Sequence, residues 1–227
     1  MANGPNAAAC TRAYCKKGMN RILVTGATGQ IGSELVPALR ERYGAKNVVA
    51  GGHVKEPSAA LRGQGPYVAF DVRDRPALEA VVGQYEIDTV YHLAALLSAV
   101  AEQKPQLAWE INVDGLINVL EVARRHGCTL FHPSSIGVFG PSTPRDNTPR
   151  VTVQRPNTLY GIAKLSGELL CDYYHARYGM DTRGVRYPGL ISYATPPGGG
   201  TTDYAADMFY AAVTRRHYAC FLQAHTR

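Results

Sequence analysis

The chain has 227 residues, of which 45% are hydrophobic and 19% are charged, and its formal net charge is +6. This composition is typical of a globular protein with a sizeable core and argues against a disordered or fibrous chain. No apolar run approaches the roughly 20 residues that a membrane-spanning helix needs, so the sequence does not predict a membrane protein.

The positive charge is unevenly distributed. Three of the six excess charges lie in residues 1–18, which contain Arg12, Lys16 and Lys17 but no acid. The remaining +3 is scattered among acidic residues, which does not indicate a nucleic-acid-binding surface. Residues 1–18 lack the apolar core of a secretory signal, and we interpret them as a disordered or non-native extension, with organelle targeting as the alternative. The five cysteines form no C-x-x-C pair, which predicts free thiols, no metal site and a cytoplasmic location.

The first predicted element is a short buried strand over residues 21–24, followed by Gly26, Gly29 and Gly32 at three-residue spacing. Apolar residues at every fourth position then predict a helix that ends before Gly44. Open α/β sheets bind dinucleotides with a strand, a glycine turn and a helix whose N-terminal N–H groups face the pyrophosphate. Because the spacing differs from G-x-G-x-x-G, a plain strand–helix turn remains the alternative.

Strands and helices alternate along the rest of the chain. The predicted strands are 47–50, 67–70, 89–93, 129–132 and 182–187, and the predicted helices are 76–84, 106–126 and 160–178. Regular alternation of this kind predicts an α/β fold with a doubly wound parallel sheet and helices on both faces.

A candidate catalytic group follows the fifth strand. Tyr160 and Lys164 are four residues apart and therefore share one helix face, and Ser135 follows the end of the strand. Hydride abstraction from an alcohol needs a base for the hydroxyl proton, a cation that tunes it and a hydroxyl that orients the substrate. A phenol pKa of about 10 must fall by ~2–3 to serve near neutral pH, and Lys164 with a positive nicotinamide ring would supply this. The alternative is a surface Tyr and Lys on an amphipathic helix.

Together these motifs resemble the extended short-chain dehydrogenase/reductase family, also called the NAD-dependent epimerase/dehydratase family. The resemblance extends from Met19 to Arg227 and is carried by segments 25–32, 71–72, 92–95 and 134–140 with the Tyr160/Lys164 pair. Segments 95–99, 133–140, 186–189 and 197–205 are similar to the short-chain-type L-threonine 3-dehydrogenase branch. That resemblance implies a Rossmann fold, a role in threonine catabolism and transfer of the C3 hydride of L-threonine to NAD, giving 2-amino-3-oxobutanoate.

The resemblance also implies roles for individual residues. Tyr160 would be the base, Lys164 would hold the nicotinamide ribose and lower the pKa of the phenol, and Ser135 would orient the C3 hydroxyl. The cofactor-binding positions would be Gly26, Thr28, Gly29, Gln30, Ile31, Gly32, Asp71, Val72, Leu93, Ala94, Ala95, Asn112, Tyr160, Lys164, Tyr187 and Pro188. The substrate-binding positions would be Ser98, Ser134, Ser135, Tyr160, Thr201 and Thr202.

Two departures from the family pattern qualify these expectations. Gly52 stands where the family usually carries an acid for the adenosine 2′-hydroxyl, so NADP is an alternative to the expected NAD. The chain also stops before such enzymes end, so we expect a dinucleotide-binding domain over 19–190 and an incomplete C-terminal substrate lobe over 191–227.

Other functions and an assembly remain open at this stage. A sugar-nucleotide epimerase or dehydratase uses the same turn and the same Tyr/Lys pair, although Pro188-Gly189 stands where such enzymes commonly carry an Asn. A catalytically inactive cofactor-binding fragment is the third alternative. The resemblance further implies a homodimer through the helices 106–126 and 160–178.

Overall fold

The computed structural model describes residues 18–149, 151–192, 194–195, 198, 200 and 203–220. The strands are β1 Ile22–Thr25, β2 Val48–Gly52, β3 Tyr67–Ala69, β4 Thr89–His92, β5 Thr129–Phe131, β6 Ser134–Ser135, β7 Thr182–Arg183 and β8 Arg186–Tyr187. The α-helices are α1 Gln30–Tyr43, α2 Ala59–Gly63, α3 Arg75–Gln84, α4 Ser98–Gln103, α5 Pro105–Trp109, α6 Gly115–His126, α7 Leu159–Tyr178 and α8 Asp203–Thr214. Short 3₁₀ turns cover Ala45–Asn47 and Ile136–Val138, and a π-helical turn covers Glu110–Asp114.

Six strands form one parallel sheet in the order β3-β2-β1-β4-β5-β7. The chain order reverses between β1 and β4, and in open α/β sheets a ligand crevice lies beyond the carboxyl ends of the strands at such a switch point. The predicted doubly wound parallel sheet is therefore confirmed, and its topology directs attention to the residues that follow β1 and β4.

The sheet is covered on both faces. Along β1, Ile22 and Val24 pack into one apolar cluster and Leu23 packs into the other, and all three are fully buried. Successive side chains of a strand point to opposite faces, so a strand buried on both sides is a continuous apolar run. This explains why polar and apolar residues do not alternate along β1.

The long helix predicted over 106–126 is interrupted. It begins as α5, passes through the π turn at Glu110–Asp114 and continues as α6. The π turn buries Asn112, whose side-chain amide accepts a hydrogen bond from Leu96 N (2.8 Å) and donates one to Leu96 O (3.0 Å). A π turn within a helix often marks a functional position, and here it fixes the loop that follows β4.

The strand predicted over 182–187 is also divided. β7 pairs with β5 in the main sheet, whereas β8 pairs with β6 in a separate two-stranded parallel sheet. Gly184 lies at the division, and a Cβ there would come within 2.7 Å of His132 O. The small sheet places Ser135 opposite Tyr187 at the carboxyl end of β5.

Among the described residues, no helix combines the length and the apolar character that crossing a bilayer requires. The expected extension over 1–18 lies outside the described residues except for Gly18. That interpretation and the division of the chain at residue 190 remain predictions.

Candidate active site

The turn after β1 can approach a ligand closely only because it consists of small residues. Gly26 has φ +67°, and a Cβ there would lie 2.7 Å from Ala94 N. A Cβ on Gly32 would lie 2.6 Å from Ala27 Cα, so the start of α1 packs directly on the turn. Glycine alone adopts this conformation at Gly26 without strain.

The N-terminus of α1 is free to bind an anion. Gly29 is its N-cap, no side chain accepts a hydrogen bond from the first turn, and that turn contains no acid. Uncapped N–H groups and the helix dipole favour a phosphate at this position. The glycine turn, which has no side chains in the way, and the uncapped N-terminus of α1 therefore fit the pyrophosphate of a dinucleotide.

A buried pair of side chains links the ends of β1 and β4. Thr25 Oγ1 lies 2.9 Å from His92 Nδ1 and accepts a weaker hydrogen bond from Ala94 N at 3.3 Å. Both side chains are buried. These hydrogen bonds hold the loop after β4 against Gly26. A side chain at position 26 would break the contact between Gly26 and that loop.

Close packing at the start of α7 brings the candidate catalytic residues together. Thr158 caps the helix by accepting a hydrogen bond from Gly161 N at 3.1 Å. A Cβ on Gly161 would lie 2.2 Å from Gly137 O, so only glycine lets the helix approach the segment after β6 this closely. Tyr160 consequently lies beside Ser135, and the two form a hydrogen bond.

Lys164 is buried one turn farther along α7. Its Nζ donates a hydrogen bond to Pro133 O at 2.8 Å and lies 5.8 Å from the centroid of the Tyr160 ring. Burial lowers the pKa of Lys164 from 10.5 to about 8, because removal from water disfavours the ammonium form.

In the protein alone, the pKa of the Tyr160 phenol is governed mainly by burial. Burial raises its pKa, and the hydrogen bond with Ser135 only partly offsets this. Desolvation of the phenolate is the largest effect, and the lowering expected from Lys164 together with a positive nicotinamide ring stays a prediction for the cofactor-bound protein. The protein alone therefore keeps Tyr160 protonated at neutral pH.

One cavity of about 180 Å³ collects most of the predicted site. It is lined by eleven of the predicted positions: Gln30, Ile31, Leu93, Ala95, Ser98, Ser134, Ser135, Tyr160, Lys164, Tyr187 and Pro188. These residues come from both sides of the switch point and from α7. A second cavity, of about 230 Å³, also borders Ser134 but contains no other predicted site residue.

The family model for the NAD-dependent epimerase/dehydratase family matches residues 22–218 of this chain. The chain belongs to that family. An uncharacterized epimerase/dehydratase of Staphylococcus epidermidis is 53% identical over 209 residues, which cover 92% of this chain and 65% of that relative. The chain thus spans about 65% of the length of this curated relative.

Three solved structures show what the fold is similar to. L-threonine dehydrogenase from Clostridium difficile has a TM-score of 0.85 at 53% identity and covers 91% of this chain, which spans 65% of that enzyme. L-threonine dehydrogenase from Phytophthora infestans has a TM-score of 0.84 at 49% identity, with coverages of 90% and 65%. UDP-glucose 4-epimerase from Brucella ovis in complex with NAD has a TM-score of 0.68 at 25% identity, with coverages of 75% and 52%.

Several predicted positions of this family member do not line the cavity. Gly26, Thr28, Gly29 and Gly32 form the turn next to it, and Ala94 packs partly against the core. Asn112 acts through its hydrogen bonds to Leu96. Thr201 and Thr202 lie outside the described residues.

The two positions expected near the adenine differ from each other. The side chain of Val72 is buried in the core, so only its backbone is available to a ligand. Asp71 is partly exposed, and its carboxylate accepts hydrogen bonds from Arg73 Nε at 3.0 Å and Nη2 at 2.7 Å. Arg73 holds the pKa of Asp71 below its ordinary value, so this carboxylate stays ionised.

The sequence-based prediction missed five cavity-lining side chains: Leu97, Ile136, Leu190, Pro133 and Asp203. The first three are apolar, and nothing in their spacing separates them from core residues. Asp203 begins α8 directly after the Pro/Gly/Thr-rich segment, and its carboxylate accepts a hydrogen bond from Gly200 N at 2.7 Å. The sequence signal that could have identified Asp203 is an acidic residue directly after the predicted substrate-binding threonines.

Proposed function

We propose that this protein is an NAD-dependent L-threonine 3-dehydrogenase, which oxidises the C3 hydroxyl of L-threonine to give 2-amino-3-oxobutanoate. The observation that carries the proposal is the convergence of Ser135, Tyr160 and Lys164 on the cavity that also contains the start of α1. Similarity to the L-threonine dehydrogenases of C. difficile and P. infestans supports the substrate assignment.

The residues that would hold the cofactor follow from the crevice. The N-terminus of α1 and the glycine turn would bind the pyrophosphate, the loop after β4 would line the ribose side, and Tyr187 with Pro188 would lie near the nicotinamide. NAD, when bound, supplies the acceptor for the C3 hydride. The chain's own part is to bind and orient both molecules and to receive a proton.

Three side chains divide the work on the alcohol. The Ser135 hydroxyl would orient the C3 hydroxyl, and the oxygen of Tyr160 would receive its proton. Lys164, with a pKa of about 8, carries a positive charge at pH 7 and is anchored on Pro133 O. The catalytically active form of Tyr160 needs more positive charge nearby than the protein alone supplies, because burial raises the pKa of its phenol.

The polar groups that line the cavity are compatible with an amino acid as the substrate. Ser98 contributes a hydroxyl to the cavity wall and Asp203 contributes a carboxylate, which match the charged ends of an amino acid, whereas the Ser134 hydroxyl is buried. A sugar-nucleotide epimerase is the second candidate, on the strength of the likeness to the B. ovis enzyme.

The deciding experiment measures reduced-cofactor absorbance with L-threonine, with UDP-glucose and with no substrate, using NAD. Threonine-dependent reduction that is lost in Tyr160→Phe would support the proposal. Turnover of UDP-glucose without turnover of threonine would assign the protein to the epimerases. Cofactor binding without turnover of either substrate would leave an inactive cofactor-binding protein.

We also propose a homodimer through α6 and α7. Ile162, Leu169 and Tyr173 form an exposed apolar stripe along α7, and Trp109 on α5 is also exposed. Leu169 is 61% exposed, and it is the grouping of these side chains along one helix, rather than any one of them, that indicates an interaction surface. Sedimentation should show a dimer that Leu169→Glu dissociates, and a monomeric wild type would contradict the proposal. A cytoplasmic location remains a prediction.

A further inference from the structure

The end of β2 has no side chain at the position where dinucleotide-binding folds commonly carry an acid for the adenosine ribose. Gly52 is the last residue of β2 and is buried, and its carbonyl accepts a hydrogen bond from Phe70 N at 2.8 Å. A Cβ built on Gly52 would lie 2.5 Å from the Tyr67 hydroxyl oxygen and 3.2 Å from two atoms of its ring. The phenol of Tyr67 therefore occupies the space into which a side chain at position 52 would extend.

This replacement changes the charge of the site. In dinucleotide-binding folds an acid near the end of β2 binds the adenosine 2′-hydroxyl and repels a 2′-phosphate. Here a phenol stands in that space. Burial and the nearby Glu56 raise the pKa of Tyr67, against the opposing effect of Arg62, so the phenol is neutral at physiological pH. A neutral hydroxyl can hydrogen-bond to a ribose hydroxyl or to a phosphate oxygen.

The neighbouring acids are already paired with cations. Asp71 is held by Arg73 and lies 3.4 Å from His53 Nε2, and Glu56 forms an ion pair with Arg62. A carboxylate that is paired in this way repels a phosphate much less than a free one. His53 directly follows Gly52, and its side chain is 54% exposed, so a group that carries positive charge when protonated is available at the same edge.

We propose that the Tyr67 hydroxyl replaces the acid at the end of β2 and that this cofactor site accepts NADP(H) about as well as NAD(H). The inference rests on the dinucleotide site of the proposed function, but it does not depend on the substrate. Tyr67 is thus a specificity-determining residue that acts by being uncharged.

Titration of the fluorescence of NADH and NADPH on the purified chain tests this without turnover. The dissociation constants of the two should agree within about tenfold in the wild type. Tyr67→Phe should raise the dissociation constants of NADH and NADPH by a similar factor of about 2–10, because each cofactor loses one neutral hydrogen bond. Tyr43→Phe is the matched control and should leave both unchanged, since Tyr43 ends α1, a helix of 14 residues whose other end forms the crevice.

The decisive variant carries Gly52→Asp with Tyr67→Ala, because a phenyl ring at position 67 would still lie 3.2 Å from the new Cβ. The double substitution removes the ring and its oxygen and places a carboxylate in the space that they occupied. In this variant the dissociation constant of NADPH should increase at least tenfold relative to that of NADH. An unchanged ratio in a variant that circular dichroism shows to be folded would overturn the inference. So would a wild type that binds NADPH more than about a hundredfold more weakly than NADH.

The outcomes separate this inference from the proposed function. Failure to bind either dinucleotide would overturn both. Binding of NADH without NADPH would overturn only the inference, whereas binding of both without turnover of threonine would support it and refute the substrate assignment.

Discussion

Replacement of Lys164 by methionine should change the pH dependence of stability in a calculable way. Burial lowers the pKa of Lys164 from 10.5 to about 8. At about 1.4 kcal/mol per pH unit, the buried ammonium costs the folded state about 3 kcal/mol when both states are protonated. Between pH 8 and pH 10.5 the unfolded chain still binds this proton and the folded chain does not, so the stability of the wild type rises with pH in this window.

Lys164→Met removes that titration and also removes the hydrogen bond to Pro133 O. The lost bond costs ~1–3 kcal/mol at every pH, because it leaves a buried carbonyl without its donor. The free energy of unfolding of the wild type minus that of the variant should therefore increase by about 3 kcal/mol from pH 7 to pH 10.5. Taking this difference cancels the groups that do not interact with Lys164. Cys171 does interact with Lys164, but burial raises its pKa to about 12, above this pH window.

Urea unfolding followed by far-ultraviolet circular dichroism at half-unit pH steps measures this difference. Lys55→Met is the matched control, because it makes the same substitution at an exposed position. A flat difference for Lys164→Met, or one that decreases with pH, would refute the conclusion that the ammonium is desolvated in the fold.

Three further substitutions test the site. Gly26→Ala should destabilise the protein by about 2 kcal/mol or more and abolish NADH binding, because its φ of +67° and the Cβ overlap with Ala94 are both unfavourable. Gly63→Ala, with nothing within 4 Å of the added Cβ, should cost nothing in the same urea titration. Tyr160→Phe should lower threonine turnover about a hundredfold or more while the NADH dissociation constant changes only slightly, and retained turnover would exclude Tyr160 as the base. Asn112→Ala should destabilise by ~1–3 kcal/mol and weaken NADH binding, since both hydrogen bonds to the loop after β4 are lost. Unchanged NADH affinity in Asn112→Ala would show that NADH binding does not depend on these two hydrogen bonds.

Local pattern was sufficient for the elements that build the crevice. The apolar run of β1, the glycines at three-residue spacing and the placement of Tyr160 and Lys164 on one face of α7 each follow from the periodicity of a single segment. Alternation of strands and helices was enough for the parallel sheet. The family resemblance, rather than local periodicity, implied most of the eleven predicted positions that line one cavity.

Other features depend on segments that are distant in the sequence. The π turn buries Asn112, whose side chain forms hydrogen bonds with Leu96 in the loop after β4. The division of the last strand follows from the close approach of Gly184 to His132. The helical and strand periodicities of those segments contain no sign of either, because an extra residue in a turn or a bend at one glycine barely alters the pattern.

The sequence by itself determined which residue types are available: a glycine at position 52, a tyrosine at position 160 and a lysine one turn later. Only the tertiary structure decided what those residues experience. Parallel pairing of β2 with β3 places the Tyr67 phenol beside Gly52, and burial of Tyr160 raises the pKa of its phenol in the protein alone. The physical reason is that charge and pKa depend on water exclusion and on neighbours from other elements, which no single segment encodes.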